Sequence, residues 1–181
     1  FGTDEDRYSK LHELLSKEEG SNRDLICMPY LVGERFPVAD DKVRGVFIGA
    51  DLSTTKADFA RSALEGVAFS LRQGLEKQGI KATSVSLIGG GAAESAWDQI
   101  MANVFNSQTK VFGDSDVLPS IMLSSVVLYG KGIIKNYDEF ILSVLEKQEC
   151  KIYHPDEKES ERYDLLFERF KRIYPSIKNC F

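Results

Sequence analysis

At 181 residues, with 43% hydrophobic and 28% charged, the chain has the length and balance of one soluble globular domain. Its 23 basic against 28 acidic residues leave a formal net charge of -5, with no long basic stripe to neutralise a phosphate backbone, so nucleic acid is not an expected partner. Cys27, Cys150 and Cys180 lie too far apart for a disulfide framework or a C-x-x-C pair, His12 and His154 read as surface or turn residues without a partner at metal-ligand spacing, and no apolar run reaches the ~20 residues of a membrane span.

The expectations are therefore a reducing, cytoplasmic setting, no metal ligands and no membrane partner. Tyr8, Leu11, Leu14 and Leu15 recur at helical spacing up to Gly20, which predicts an amphipathic helix over residues 5–19. Residues 24–28 read as a short apolar strand. Pro29, Gly33, Pro37, Gly45 and Gly49 then break residues 29–53 into loop and short extended pieces, a length typical of a functional or closely packed loop. Thr55 with Asp58 three residues on resembles a capping-box start, and Phe59, Ala63, Val67, Leu71 and Leu75 keep one face through to Gly79. Residues 83–88 are apolar and β-branched, Gly89, Gly90 and Gly91 interrupt them, and Trp97, Ile100, Met101, Val104 and Phe105 resume at helical period. A strand over 109–112, helices over 119–128 and 137–148, and a last helix over 156–174 that stops at Pro175 complete the pattern. Helices with a few strands between them make an α/β arrangement, without repeats or low-complexity linkers.

The order strand, glycine turn, helix gives Gly89-Gly90-Gly91-Ala92 the ingredients of a nucleotide cradle. Without Cβ atoms the turn admits close approach, and the positive end of the following helix favours anionic groups. The same triplet also serves as a plain tight turn. No Gly-Lys-Ser/Thr follows, as a Walker A loop requires, and Glu94 stands where the dinucleotide fingerprint has its third glycine. Ser95 is placed either to hydrogen-bond a ligand or to cap the helix, and Trp97 either to stack on an adenine or to pack in the core. Asp40 with Asp41, and Asp114 with Asp116, fall in loops where solvated or turn-forming roles are the default, so no catalytic pair is expected.

Three ordered segments resemble the FGGY family of sugar kinases. Pro29-Tyr30-Leu31-Val32-Gly33-Glu34-Arg35-Phe36-Pro37, followed by Arg44 to Gly49, is similar to the family's Pro-Tyr-Leu-x-Gly-Glu-Arg-x-Pro segment. Asp58-Phe59 with Ser62-Ala63-Leu64-Glu65-Gly66 resembles its second signature, and Ile88 to Ala92 with Trp97 and Asn106 its nucleotide turn and helix. The ending from Phe167 to Pro175 also looks like a family C-terminus.

The resemblance implies that residues 1–181 are the C-terminal, nucleotide-binding domain, of actin-like (ribonuclease-H-like) fold, of a kinase that uses ATP and Mg²⁺. Gly90, Gly91 and Ala92, with Ser95 beside them, are the residues implied to meet the nucleotide, and no catalytic residue is carried over. The implied substrate is a ketopentose such as xylulose, since Phe69 to Arg72 and Gly74 to Glu76 look more like xylulokinases than gluconokinases. Another FGGY kinase, or a non-catalytic actin-like binding protein, is the alternative. The sugar-binding domain, the catalytic aspartate and the first strands of this domain are implied to precede residue 1, so the fragment alone is expected to be inactive. Strands near Ile26, Leu87 and Val111 are then expected to share a reduced sheet with an open edge, covered by other segments of a longer parent or by a second copy in a homodimer. Leu118 and Met122 replace two family glycines, implying either weakened ATP binding or compensated repacking.

Overall fold

The computed structural model describes residues 4–17, 22–113 and 117–181. Helix α1 (Asp4–Lys17) leads to strand β1 (Ile26–Met28), which pairs antiparallel with β2 (Val46–Ile48) in the register Cys27 to Phe47. Helix α2 (Lys56–Lys77) follows, then β3 (Ser84–Leu87), a 3₁₀ turn (Gly90–Ala93), α3 (Ser95–Phe105) and β4 (Gln108–Phe112). Helices α4 (Leu118–Gly130) and α5 (Tyr137–Leu145), strand β5 (Cys150–Tyr153) and α6 (Glu157–Ile177) complete the chain. Gly20, Asp114 and Asp116, named above, lie outside the described residues.

The strands form two sheets. β3 and β4 run parallel, as a strand, helix, strand unit requires, and β5 adds antiparallel to β4, so the order is β3-β4-β5. The expectation that strands near Ile26, Leu87 and Val111 share one sheet is corrected. Ile26 pairs with Ile48 of β2, a strand that the glycine- and proline-punctuated sequence hides inside an apparent loop.

Helix α2 starts as its sequence announces. The Thr55 amide donates to Asp58 Oδ2 at 2.8 Å and the Asp58 amide donates to Thr55 Oγ1 at 3.2 Å, the two halves of a capping box. α2 lies directly on β1: a Cβ at Gly66 would collide with the carbonyl oxygen of Cys27, so only glycine lets helix and strand approach this closely. Cys27 is buried beneath, and desolvation pushes its thiol up to about 11.

The core joins β1, α2, α3 and α6. Phe69 of α2 sits against Tyr163, Phe167 and Phe170 of α6 with ring centroids 5.5 to 5.9 Å apart, and Ile100, Met101 and Val104 of α3 close the cluster. Two ion networks frame it. Tyr163 donates its hydroxyl to buried Glu65 at 2.8 Å while Arg162 reaches the same carboxylate at 3.3 Å, and Arg72 donates to the Val104 carbonyl and pairs with Asp164 at 2.7 Å. Burial holds the Glu65 carboxyl above its ordinary range, against the opposing pull of Arg162 and Tyr163.

Helix α6 does not stop at Pro175 but continues to Ile177. A proline in the last turn forfeits one amide donor, and the Ser176 hydroxyl still donates to the Arg172 carbonyl at 2.8 Å. Tyr174 also fastens this end by donating to Asp40 Oδ2 at 3.0 Å. Asp40 accepts the amides of Lys42 and Val43 as well, the turn-forming role expected of it, and these bonds keep its carboxyl below the usual range.

Candidate functional site: the glycine turn between β3 and α3

Strand β3 ends at Leu87, and Gly89 reverses the chain with φ of 89°, a left-handed value that favours glycine. The Ala92 amide donates to the Gly89 carbonyl at 3.1 Å and the Glu94 amide to the Gly91 carbonyl at 3.3 Å, winding Gly90–Ala93 into one 3₁₀ turn directly before α3. Gly90 and Gly91 are brought to the surface, whereas Ala92 is buried. Gly91 is informative. Its φ is not left-handed, and a Cβ there would meet only Trp97 Nε1, at an ordinary 3.8 Å. Neither backbone nor packing demands glycine at 91.

The α3 N-terminus differs from expectation. Ser95 is the first helical residue, half-buried, and Glu94 is the cap, its Oε1 accepting the Ala96 amide at 3.0 Å. The same oxygen lies 3.2 Å from Nδ1 of His12 on α1. His12 stays at the surface, as expected, yet has a partner on a distant element. The sequence signal for Glu94 was only the displaced third glycine, and nothing local tied it to a residue 82 positions away.

One turn further on, Asp98 is 2% exposed and its Oδ1 has no partner among the described residues. Burial drives its carboxyl up to about 6, opposed by a hydrogen bond from Tyr153 and the charge of Lys151, both on β5, and reinforced by Glu94. Two buried carboxylates therefore stand at the start of α3. They offset the positive end of the helix dipole, so this helix end does not present a phosphate with the free positive field that the sequence suggested.

Trp97 is half-buried and packs against the core, and with Leu11, Leu64, Val67, Gly91 and Glu94 it lines an apolar groove of about 240 Å³. Leu118, at the first position of α4, is 1% exposed, while Met122 is half-buried. Asn106, the left-handed cap of α3 with φ of 45°, is the sole non-glycine residue with positive φ among the described residues. No described helix is long and apolar enough to cross a membrane, and among the described residues no three His, Cys, Asp or Glu come together to hold a metal ion.

Residues 2–118 match the C-terminal domain of the FGGY family of carbohydrate kinases. The chain belongs to that family. It is 32% identical over 166 residues, 90% of its length, to the xylulose kinase of Staphylococcus epidermidis, of which it covers 33%. Among solved structures it is similar to the ligand-bound xylulose kinase of Lactobacillus acidophilus, with a TM-score of 0.75 at 26% identity over 94% of this chain and 34% of that one. The gluconate kinase of the same organism gives 0.74 at 26% identity, covering 93% and 34%. This FGGY domain thus spans about a third of the length of the curated relatives it matches. The family resemblance drawn from the three ordered segments is borne out, and so is the α/β class.

Proposed function

We propose that this FGGY domain is the nucleotide-binding half of an ATP-dependent kinase that phosphorylates a ketopentose such as xylulose. The observation that carries the reading is Gly91: an exposed glycine at a βα turn that neither its φ nor its neighbours require, inside the residues shared with the family. An absent side chain without an internal reason points to something that approaches from outside. Gly90 and Gly91 would lie against the nucleotide, with Ala92 and Ser95 flanking. Because Glu94 and Asp98 oppose negative charge at the helix end, the turn suits the nucleoside portion of ATP better than its phosphates. Among the described residues no three His, Cys, Asp or Glu come together as a ligand set for Mg²⁺.

The named xylulose kinases among the relatives support the sugar, and the gluconate kinase likeness makes gluconate the competing substrate. Phosphoryl transfer depends on a positioned nucleophile as well as a held nucleotide, so the 181-residue chain alone should bind without transferring. Calorimetric titration of the chain with ATP tests the turn: the wild type should bind and Gly91→Leu should remain folded without binding. Sugar-dependent ADP formation, followed for the protein that carries this domain with xylulose, gluconate and glycerol side by side, tests the substrate. Turnover by the isolated chain, or equal ATP binding by Gly91→Leu, would overturn the reading.

A further inference from the structure

We propose that Glu94 is a positioning residue that fixes the glycine turn by tethering helix α1 to it through His12. The inference rests on the reading of that turn as the nucleotide site and names what holds it in shape.

The identity of the cap is the first argument. Helix N-caps are ordinarily short polar residues, Ser, Thr, Asp or Asn, whose side chains reach the N2 or N3 amide with little ordering. Glu94 adopts the extended cap backbone, φ -105° and ψ 107°, and must fold a longer side chain back to reach Ala96. The extra methylene is superfluous for capping. Its use is reach, because it brings Oε1 to 3.2 Å from His12 Nδ1 while the same oxygen still accepts the Ala96 amide.

Burial is the second. Glu94 is 4% exposed, and a carboxylate removed from water needs partners. On its own helix it faces Asp98, a like charge; from β5, Lys151 and Tyr153 engage Asp98, leaving His12 as the basic group that meets Glu94 among the described residues. The imidazole is poised for this role. Ser16, one turn along α1, lies 3.4 Å from Nε2 and donates to it in the neutral tautomer that carries its hydrogen on Nδ1, so one tautomer serves both contacts. The tether therefore does not depend on a charged histidine.

The third argument is continuity with the turn. The backbone amide of Glu94 closes the 3₁₀ turn onto the Gly91 carbonyl, and its side chain anchors α1. Leu11, next to His12, faces Gly91 and Trp97 across the apolar groove. Movement of α1 thus acts on the same residue, Gly91, that meets the ligand.

Three variants separate tether from cap. Glu94→Ser keeps a good cap but loses the reach, His12→Ala keeps Glu94 but removes its partner, and the double variant tests whether the two act through one contact. Amide hydrogen exchange across α1 and residues 89–93 is measured with ATP affinity, and thermal melting confirms that each variant is folded. Both single variants should speed exchange in α1 and the turn and weaken ATP by about fivefold, and the double should be no worse than either. Wild-type exchange in Glu94→Ser would make Glu94 a cap only and overturn the proposal, as would additive effects in the double variant. If exchange couples as expected but no form binds ATP, the tether stands and the nucleotide reading falls.

Discussion

Helices α6 and α4 are both rich in apolar residues, yet they end in opposite circumstances. Apart from exposed Leu165, α6 gathers its apolar residues on one stripe, and Tyr163, Leu166, Phe167, Phe170 and Ile173 are all buried against α2, α3 and β1. α4 is apolar nearly all round, but only Leu118 and Ser125 are buried; Leu123 is 72% exposed, Val126, Val127 and Tyr129 are exposed too, and α5 beside it has half-buried residues but no fully buried one. A helix apolar on every side is suited to a layer covered on more than one face. The contrast teaches that periodicity reveals a buried face only where the covering element is present, and that the α2–α6 body carries the stability while the α4–α5 hairpin contributes little.

The largest test of that contrast is a pair of truncations. Phe167→Ala should cost about 3–5 kcal/mol in urea unfolding, as buried aromatics do, and Leu123→Ala within about 0.5 kcal/mol. Similar losses for both would erase the distinction. Glycine substitutions come next. Gly66→Ala drives a methyl into the Cys27 carbonyl and should cost about 3 kcal/mol, whereas Gly130→Ala in α4, with open space around it, should be neutral or stabilising by up to about 0.8 kcal/mol.

A smaller difference is expected for hydroxyls. Tyr163→Phe strips buried Glu65 of one donor and should lower stability by about 1–2 kcal/mol, while Tyr137→Phe, on the half-open Tyr129 stack, should change it by less than about 0.5 kcal/mol. A melting shift at Tyr137 as large as at Tyr163 would give the hairpin a polar core it is not seen to have. The finest test uses pH. Asp98 has a folded value of about 6 against an ordinary 3.8, so the folded state binds the extra proton. Its favourable contribution is complete below about pH 4 and is lost as pH rises through about 6, where folding must keep a buried carboxylate ionised. Asp98→Asn should flatten the stability profile between those limits; an unchanged slope would place the titration elsewhere.

Much local chemistry was legible where the partners are near in sequence, the run of α6 past Pro175 being an exception. The Thr55 and Asp58 capping box, the stripe of α6 and the strand, glycine, helix order around Gly90 were readable because each is decided within a few residues. What escaped depends on distant partners. β5 is mostly exposed and has Lys151 at its centre, so only pairing with β4, Val111 opposite Lys151, makes it a strand. β2 likewise exists through Ile26 and Cys27, and the expected end of α5 at Gln148 gives way to tightened turns after Leu145. At the turn, the placement of Gly90 and Gly91 ahead of α3 was readable from the glycine run, but Glu94 draws its partner from His12 on α1, and Asp98 from Tyr153 and Lys151.

The three thiols, which looked uninformative as a set, make the fold report on itself. Cys150 and Cys180 are open to solvent, while Cys27 is sealed between β1 and α2 with its thiol held at about 11, mostly un-ionised at neutral pH. After the two surface thiols have been blocked, any alkylating reagent can take the third only during moments when α2 lifts from β1. The rate of that last modification is therefore a clock for the opening of the seam between α2 and β1, readable by mass alone and without altering a single residue.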